Sequence, residues 1–159
     1  MNTIYDGSYT LGSTSALSFE AGPGIKIDEP SAGTVRIGTD ETVLWSGNLN
    51  QPSAISLSEQ SNNFTTIKMY LNDQNGWKEV KEYNADQSQF GITLVTPYTS
   101  NINSTIIRYG ILSSTNYKDY TYTAVGRALL TTASNNFAVL NNSGPFIEKI
   151  IGIGRVSGT

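Results

Sequence analysis

Alternating side chains fill the stretch Phe64-Thr65-Thr66-Ile67-Lys68-Met69-Tyr70-Leu71. Ile67, Met69 and Leu71 share one side of an extended chain, because successive side chains of a β-strand point to opposite faces. Lys68 and Tyr70 share the other side. One apolar and one polar face are typical of an antiparallel sheet that covers a core on one side. The stretch therefore predicts a half-buried antiparallel strand.

Similar short runs occupy most of the chain, and Gly, Pro, Asn and Ser separate them. About ten short strands at this spacing favour an all-β fold, an antiparallel β-sandwich of jelly-roll type, over βαβ units. In the terminal strand, Ile147, Ile151 and Ile153 are expected on the side that packs in the core. The predicted strands cover residues 24–28, 33–38, 41–46, 54–58, 64–71, 91–96, 104–112, 120–124, 127–132, 136–140 and 146–156.

Composition limits the possible functions. The 159 residues suffice for one domain, with or without a short appendage, and their net charge is −3. A weakly acidic chain lacks the basic stripe that nucleic acids require, so no nucleic-acid partner is expected. Only 14% of residues are charged, whereas Ser, Thr and Asn together make up 51 of the 159. Such an uncharged polar surface is typical of extracellular or virion proteins.

The absence of cysteine and histidine excludes several chemistries. Disulfides, thiolate nucleophiles, Cys/His zinc sites and Ser-His-Asp triads are all ruled out. A protein that works outside a reducing cell without disulfides needs another source of stability, and oligomerisation is the usual one. No apolar run approaches the roughly 18 residues that span a bilayer, and the start of the chain lacks the pattern of a secretory signal. Membrane insertion is therefore not expected.

A change in composition near Thr39 divides the chain into a predicted shaft or neck, residues 1–38, and a predicted head domain, residues 39–159. Within the first segment, residues 24–28 and 33–38 predict two short strands joined by a turn that contains Pro30. A two-stranded unit of this size is marginal alone. We expect identical chains to wrap around a threefold axis and bury the apolar residues of this unit, Ile25, Ile27, Val35 and Ile37. An ordinary hairpin in a mobile leader is the alternative.

Both ends of the chain resemble phage tail fibres. Phe19-Glu20-Ala21-Gly22-Pro23-Gly24-Ile25-Lys26-Ile27-Asp28 and Gly33-Thr34-Val35-Arg36-Ile37 resemble the repeat that precedes the fibre head. Thr39-Asp40-Glu41-Thr42-Val43-Leu44-Trp45-Ser46-Gly47 resembles the first strand of such heads. Phe146-Ile147-Glu148-Lys149-Ile150-Ile151-Gly152-Ile153-Gly154-Arg155 resembles their terminal strand. Residues 72–145, where such fibres carry their receptor-facing loops, resemble nothing comparable.

The resemblance implies a non-enzymatic receptor-binding protein on the phage virion. It implies a homotrimer with a short β-rich shaft and a β-sandwich head similar to the knob of adenovirus fibres. The implied partners are other copies of the chain and a host cell-surface receptor, either a saccharide or a protein. No cofactor is implied.

Two segments combine aromatic rings with polar side chains, as saccharide binding requires. Residues 72–90 contain Trp77 and Tyr83, and a hairpin turn predicted at residues 73–76 sets Trp77 at the start of the next strand. Residues 113–122 form the second segment, and Tyr98 falls on a loop between the two. Packing in the sandwich or the trimer interface is the alternative role for each aromatic residue. The candidate receptor-binding residues are Trp77, Tyr83, Tyr98, Asn116, Tyr117, Asp119 and Tyr120.

Catalysis and metal binding find little support in the sequence. The carboxylate pair of a glycosidase could come from Asp73, Glu79, Glu82 and Asp86, which lie in one segment. However, Glu79 and Glu82 alternate with Lys78 and Lys81 as on a charge-paired strand. Residues 73–76 echo part of a calcium loop without its closing glutamate. We therefore predict no catalytic residue and no metal ligand.

Two other functions remain open. A monomeric carbohydrate-binding module of a secreted enzyme or adhesin would share the composition, the sandwich and the aromatic platform. A structural trimerisation tip would bind no ligand at all. The first alternative predicts a monomer, and the second predicts that loss of the surface aromatic residues has no effect on attachment.

Overall fold

The computed structural model describes residues 3–5, 8–10, 25–32, 34–73, 75–97, 104–131, 136–141 and 144–156. Within these ranges the protein is all-β, with antiparallel sheets and no α-helix; a single 3₁₀ turn spans Ser61–Asn63. The strands are β1 (Thr3–Tyr5), β2 (Ser8–Thr10), β3 (Ile25–Ser31), β4 (Thr34–Thr39), β5 (Glu41–Leu49), β6 (Ser53–Ser56), β7 (Phe64–Asn72), β8 (Lys78–Asn84), β9 (Gln89–Pro97), β10 (Ser104–Ser114), β11 (Asp119–Thr131), β12 (Asn136–Asn141) and β13 (Phe146–Arg155).

Two larger sheets build the body of the fold. The β7 sheet has the strand order β5-β13-β7-β8, and the β10 sheet has the order β12-β11-β10-β9. Strand β6 pairs with the first part of β11, along the same edge that β12 uses further on. The β1–β2 and β3–β4 pairs form separate two-stranded sheets.

The hydrophobic core lies between the inward faces of the two larger sheets, an arrangement typical of a β-sandwich. The alternation predicted for β7 is confirmed, since Ile67, Met69 and Leu71 are buried while Lys68 and Tyr70 are only partly so. One cluster joins both sheets through Leu44, Leu49, Leu57, Phe64, Ile67, Met69, Leu71, Ala85, Phe90, Ile92, Leu112, Tyr120, Tyr122, Val125, Ile147 and Ile150.

The terminal strand corrects one prediction. Ile147 pairs with Leu71 and Lys149 pairs with Tyr70, so Glu148 is an extra residue that forms a β-bulge. The bulge shifts the alternation by one position, because every residue after it changes face. Ile147 and Ile150 therefore join the core cluster, whereas Ile151 and Ile153 lie on the other face of the sheet with Lys68 and Thr66, where Ile151 is nevertheless buried at 4% exposed.

A second bulge explains why one long strand replaces two predicted short ones. Residues 120–124 and 127–132 were expected as separate strands, but β11 runs from Asp119 to Thr131. Its pairing with β10 jumps between Tyr109 and Ile111, where residues 124 and 125 are inserted opposite Gly110. The strand bends there without ending.

The predicted pair of short strands in the N-terminal segment forms the β3–β4 hairpin. The pairing is antiparallel and sets Ile27 directly opposite Ile37. Val35 lies two residues before Ile37 and therefore on the same face. Ile25 pairs with Thr39, and its side-chain surroundings lie outside the described part of the structure.

Candidate functional site

The turn between β7 and β8, residues 73–77, is built around Asp73. One carboxylate oxygen, Oδ1, accepts hydrogen bonds from the backbone N–H groups of Asn75 and Trp77, each at 2.9 Å. The Asp73 N–H donates to the Trp77 carbonyl at 3.0 Å. Gly76 has φ +90°, a conformation that favours glycine. The predicted hairpin turn is thus confirmed, and we call it the Asp73 turn.

Asp73 is buried although it belongs to a turn. Its side chain is 2% exposed, and its second oxygen, Oδ2, accepts no hydrogen bond from the described residues. The electrostatic influence of Asp73 reaches Arg108, which is also 2% exposed. Burial lowers the pKa of Arg108, nearby Arg127 lowers it further, and Asp73 opposes both effects. A buried acceptor without a hydrogen bond is costly, so Oδ2 marks this turn as unusual.

A cavity of about 560 Å³ opens at this end of the β7 sheet, where β5, β13 and the Asp73 turn meet. Lys78 Nζ and Glu148 Oε2 lie 3.5 Å apart in its wall. Amide, carboxylate and ammonium groups thus surround one aromatic side chain, Phe146. The lining residues are Gly47, Asn48, Asn72, Asp73, Gly76, Lys78, Phe146 and Glu148.

Trp77 lies between two residues that line this cavity, Gly76 and Lys78, and its side chain is 48% exposed. The other tryptophan, Trp45, packs against the core. Among the candidate receptor-binding residues predicted from sequence, Trp77 is therefore an exposed aromatic residue next in sequence to two residues of the cavity wall.

Tyr83 serves the fold. Its hydroxyl donates to the Gly91 carbonyl at 3.1 Å, and its ring meets Phe90 edge-on, with centroids 5.2 Å apart. Burial and the neighbouring Glu79 carboxylate raise the pKa of Tyr83 to about 12. The residue thus links β8 to β9 across the edge of the core.

Tyr120 must be removed from the predicted receptor-binding set, because its side chain is only 1% exposed. Its hydroxyl lies 2.7 Å from Ser61 Oγ, and its ring stacks on Phe90 with centroids 5.7 Å apart. Burial raises the pKa of this hydroxyl, although the Ser61 hydrogen bond opposes the shift. Tyr120 is a core residue.

The turn between β10 and β11, residues 115–118, is organised by Asn116, and we call it the Asn116 turn. Its side-chain oxygen accepts from the N–H groups of Lys118 at 3.0 Å and Asp119 at 2.8 Å. Its side-chain nitrogen donates to Asp119 Oδ2 at 2.7 Å. Ser56 Oγ donates to the other Asp119 oxygen at 2.6 Å. These bonds from Ser56 and Asn116 hold the pKa of Asp119 below its ordinary value.

Tyr117 sits at the tip of the Asn116 turn with φ 61°, and its side chain is partly buried. Its carbonyl accepts from the Ser61 N–H at 2.7 Å. A shallow cavity of about 190 Å³ lies beside the turn, lined by Ser113, Ser114, Thr115, Asp119 and Thr121. The side-chain polar atoms of Asn116 and Asp119 are thus hydrogen-bonded within the fold itself.

The remaining predictions have mixed outcomes. Tyr98 lies outside the described residues. Lys81 contacts Glu79 at 3.3 Å and Lys68 contacts Glu82 at 3.6 Å, as the charge-paired strand predicts. Within the described ranges no group of three Asp or Glu side chains could hold a metal ion, and no helix there is long and apolar enough to cross a membrane.

Sequence reasoning missed the far wall of the Asp73 cavity. Asn48, Phe146 and Glu148 come from β5 and β13, far from residue 73 in the chain. No local pattern links them to the turn. Only the pairing of β13 with both β5 and β7 brings them together.

Comparison with protein-family models, curated proteins and solved structures finds no match for this chain. Function therefore has to be inferred from the residues of the chain itself.

Proposed function

We propose that this chain is the distal part of a trimeric phage tail fibre, which attaches the virion to a saccharide on the host surface without catalysis. The shaft, the jelly-roll-like head and the trimer belong to the same proposal. The observation that carries the binding function is the exposed Trp77 side chain in the Asp73 turn, next in sequence to Gly76 and Lys78, which line the polar cavity.

The chemistry of the cavity suits a neutral saccharide. Its volume lies within the range of about 300–1,000 Å³ that is common for small-ligand sites. The Trp77 ring offers an apolar face for sugar C–H groups, while the amides of Asn48 and Asn72 can donate to and accept from hydroxyls. Asp73 and Glu148 outnumber the single cation Lys78, which disfavours an anionic sugar.

The unmet acceptor of Asp73 strengthens this interpretation. Its Oδ2 atom is buried without a hydrogen bond from the described residues. Because this atom is buried, a sugar hydroxyl would donate to it only if the turn opened, and a hydrogen bond to a charged acceptor contributes more than a neutral one. The Asn116 turn offers no comparable atom, because Ser56 and Asn116 already donate to both oxygens of Asp119.

The β3–β4 hairpin supports the trimer. Ile27 and Ile37 are opposed in register, and Ile37 is 59% exposed in the single chain. An apolar side chain this exposed on a small hairpin would be buried if identical chains packed around an axis. Three linked sites would also bind a cell surface more tightly than one site, without any new contact.

A glycan array tests the binding function, with Trp77→Ala as the site variant and Tyr117→Ala as the matched aromatic control at the other turn. We expect a set of neutral glycans that bind the wild type and the control but not Trp77→Ala. Light scattering of the same samples should give a mass of three chains (3 × 17.2 kDa). A 17.2 kDa monomer that still binds would favour the carbohydrate-binding module. A trimer that binds no saccharide and attaches to no cell would favour the structural tip.

A further inference from the structure

The outward face of the β10 sheet carries no charged side chain over three neighbouring strands, except Asp119 at the first position of β11. Strands β9, β10 and β11 contribute alternate residues to this face, as their register shows. We call it the β10 outer face. Its residues are Gln89, Gly91, Thr93, Val95, Pro97, Thr105, Ile107, Tyr109, Ile111, Ser113, Thr121, Thr123, Gly126, Ala128 and Leu130.

Apolar side chains lie along the middle of this face. Val95 is 57% exposed and Leu130 is 37% exposed, while Ile107 and Ile111 are partly buried. Tyr109 lies over Gly126, where an added Cβ would come within 2.3 Å of the ring. Because Gly126 has no side chain, the Tyr109 ring occupies the space above it. The nearest charge in the register is Asp119, at the end of the face.

The outward face of the β7 sheet differs. Lys68 lies between two carboxylates, 3.7 Å from Glu41 and 3.6 Å from Glu82. Lys149 sits 4.7 Å from the centre of the Tyr70 ring. Several charges on one outward face and only the terminal Asp119 on the other indicate that the two faces meet different surroundings, since interface cores are depleted in charge.

The size of the β10 outer face bears on its partner. Nine positions along β10 and three strands across give about 400 Å² from ordinary strand dimensions. That is the area of the whole face, in which threonine, serine, glutamine and glycine residues lie among the apolar side chains. It falls short of the about 800 Å² per partner of a standard interface, so this face serves best as one part of a larger contact.

From these observations we infer that the β10 outer face packs against further copies of this chain in the trimer, an inference that rests on the proposed trimeric fibre. Apart from Asp119 at its end, the face carries no charge, so three copies of it can converge on a threefold axis without burying a charge or opposing like charges. The net charge of −3 per chain adds little repulsion between copies. The exposed Ile37 of the β3–β4 hairpin supplies further apolar area for the same association.

Two matched lysine substitutions test this inference by light scattering at fixed protein concentration. Val95→Lys places a charge on the β10 outer face, and Val80→Lys places one on the outward face of the β7 sheet. Both valines are exposed, at 57% and 47%, and both lie in edge strands. We expect Val95→Lys to lose the trimer and Val80→Lys to keep it. Thr93→Lys, also at an exposed position of β9, should repeat the loss if Val95→Lys fails to fold.

Three results would overturn the inference: a wild-type monomer, a Val95→Lys trimer, or equal loss in both variants. Saccharide binding at Trp77 is read separately by titration. A monomeric Val95→Lys protein should keep the single-site affinity of the wild type and lose only its avidity for a glycan-coated surface. Light scattering therefore tests the interface, titration tests saccharide binding, and either proposal can fail without the other.

Discussion

The Asp73 turn and the Asn116 turn connect neighbouring strands in two different sheets, and each contains one aromatic residue. In the Asn116 turn, both oxygens of Asp119 accept hydrogen bonds from protein side chains. In the Asp73 turn, one carboxylate oxygen closes the turn while the other has no hydrogen bond from the described residues. The two turns contain similar residue types, but only the Asp73 turn has a carboxylate oxygen without a hydrogen bond from the described residues.

This difference distinguishes a turn that mainly stabilises the fold from a turn that can bind a ligand. A turn whose carboxylate oxygens both accept hydrogen bonds from the protein stabilises the fold and offers fewer free acceptors to a ligand. A turn with a buried unmet acceptor, an exposed indole and an adjacent cavity of about 560 Å³ can bind one. Residue types alone therefore did not distinguish the candidate site from the purely structural turn.

The largest effect is expected from Asp73→Ala. The change removes the acceptor for two backbone N–H groups and the carboxylate that favours the charged form of buried Arg108. We expect a loss of about 3 kcal/mol in the free energy of unfolding, measured by urea denaturation at fixed protein concentration. Asp73→Asn keeps one acceptor and should cost less. A change below about 0.5 kcal/mol for Asp73→Ala would show that the turn does not depend on this side chain.

Trp77→Ala should affect binding and leave folding almost unchanged. The ring is 48% exposed and lies outside the core cluster. We expect at least a tenfold loss of saccharide affinity, about 1.4 kcal/mol, with a free energy of unfolding within about 0.5 kcal/mol of the wild type. Calorimetric titration and urea denaturation of the same sample measure the two quantities. Unchanged affinity would move the binding site away from the Asp73 turn.

Asn116→Ala should do the reverse. It removes the acceptor for the Lys118 and Asp119 N–H groups and the donor to the Asp119 carboxylate. Because this turn is exposed, we expect a loss of only about 1 kcal/mol in the free energy of unfolding, and no change in saccharide affinity. A fall in affinity greater than that of Trp77→Ala would contradict the contrast between the turns.

The smallest effect is a dependence of stability on acid pH. Hydrogen bonds from Arg155 lower the pKa of Glu59, and those from Ser56 and Asn116 lower the pKa of Asp119. A carboxyl with a lowered pKa stabilises the fold above its ordinary value, here 4.5 for Glu59 and 3.8 for Asp119, and loses that contribution as the pH falls through the folded-state value. The midpoint temperature of thermal unfolding should therefore decrease below about pH 4.5. The decline should be shallower in Asn116→Ala, and an equal slope would contradict the role of this turn in the Asp119 shift.

Alternation within single strands could be read from the sequence, and the arrangement of distant strands could not. Ile67 and Met69 were placed correctly because a strand has a period of two. The alternation of Tyr120 and Tyr122 with Asp119 and Thr121 carried the same signal for burial, and assigning Tyr120 to the receptor surface overlooked it.

The remaining differences come from long-range pairing. The bulge at Glu148 exchanges Ile151 for Ile150 in the core, and nothing in the local sequence marks it. The Asp73 turn was predicted from its own residues, whereas Asn48 and Phe146 reach the cavity only through the sheet. Local chemistry therefore located the turn, and topology supplied the rest of the site.

The most direct test of the account follows the two indole N–H signals in an NMR titration with a neutral glycan selected on the array. The chain contains two tryptophans, and Trp77→Phe assigns their signals. We expect the Trp77 signal and the amides of the Asp73 turn to shift on binding. The amides of the Asn116 turn should stay in place. A shift confined to the Asn116 turn, with Trp77 unmoved, would contradict the central claim.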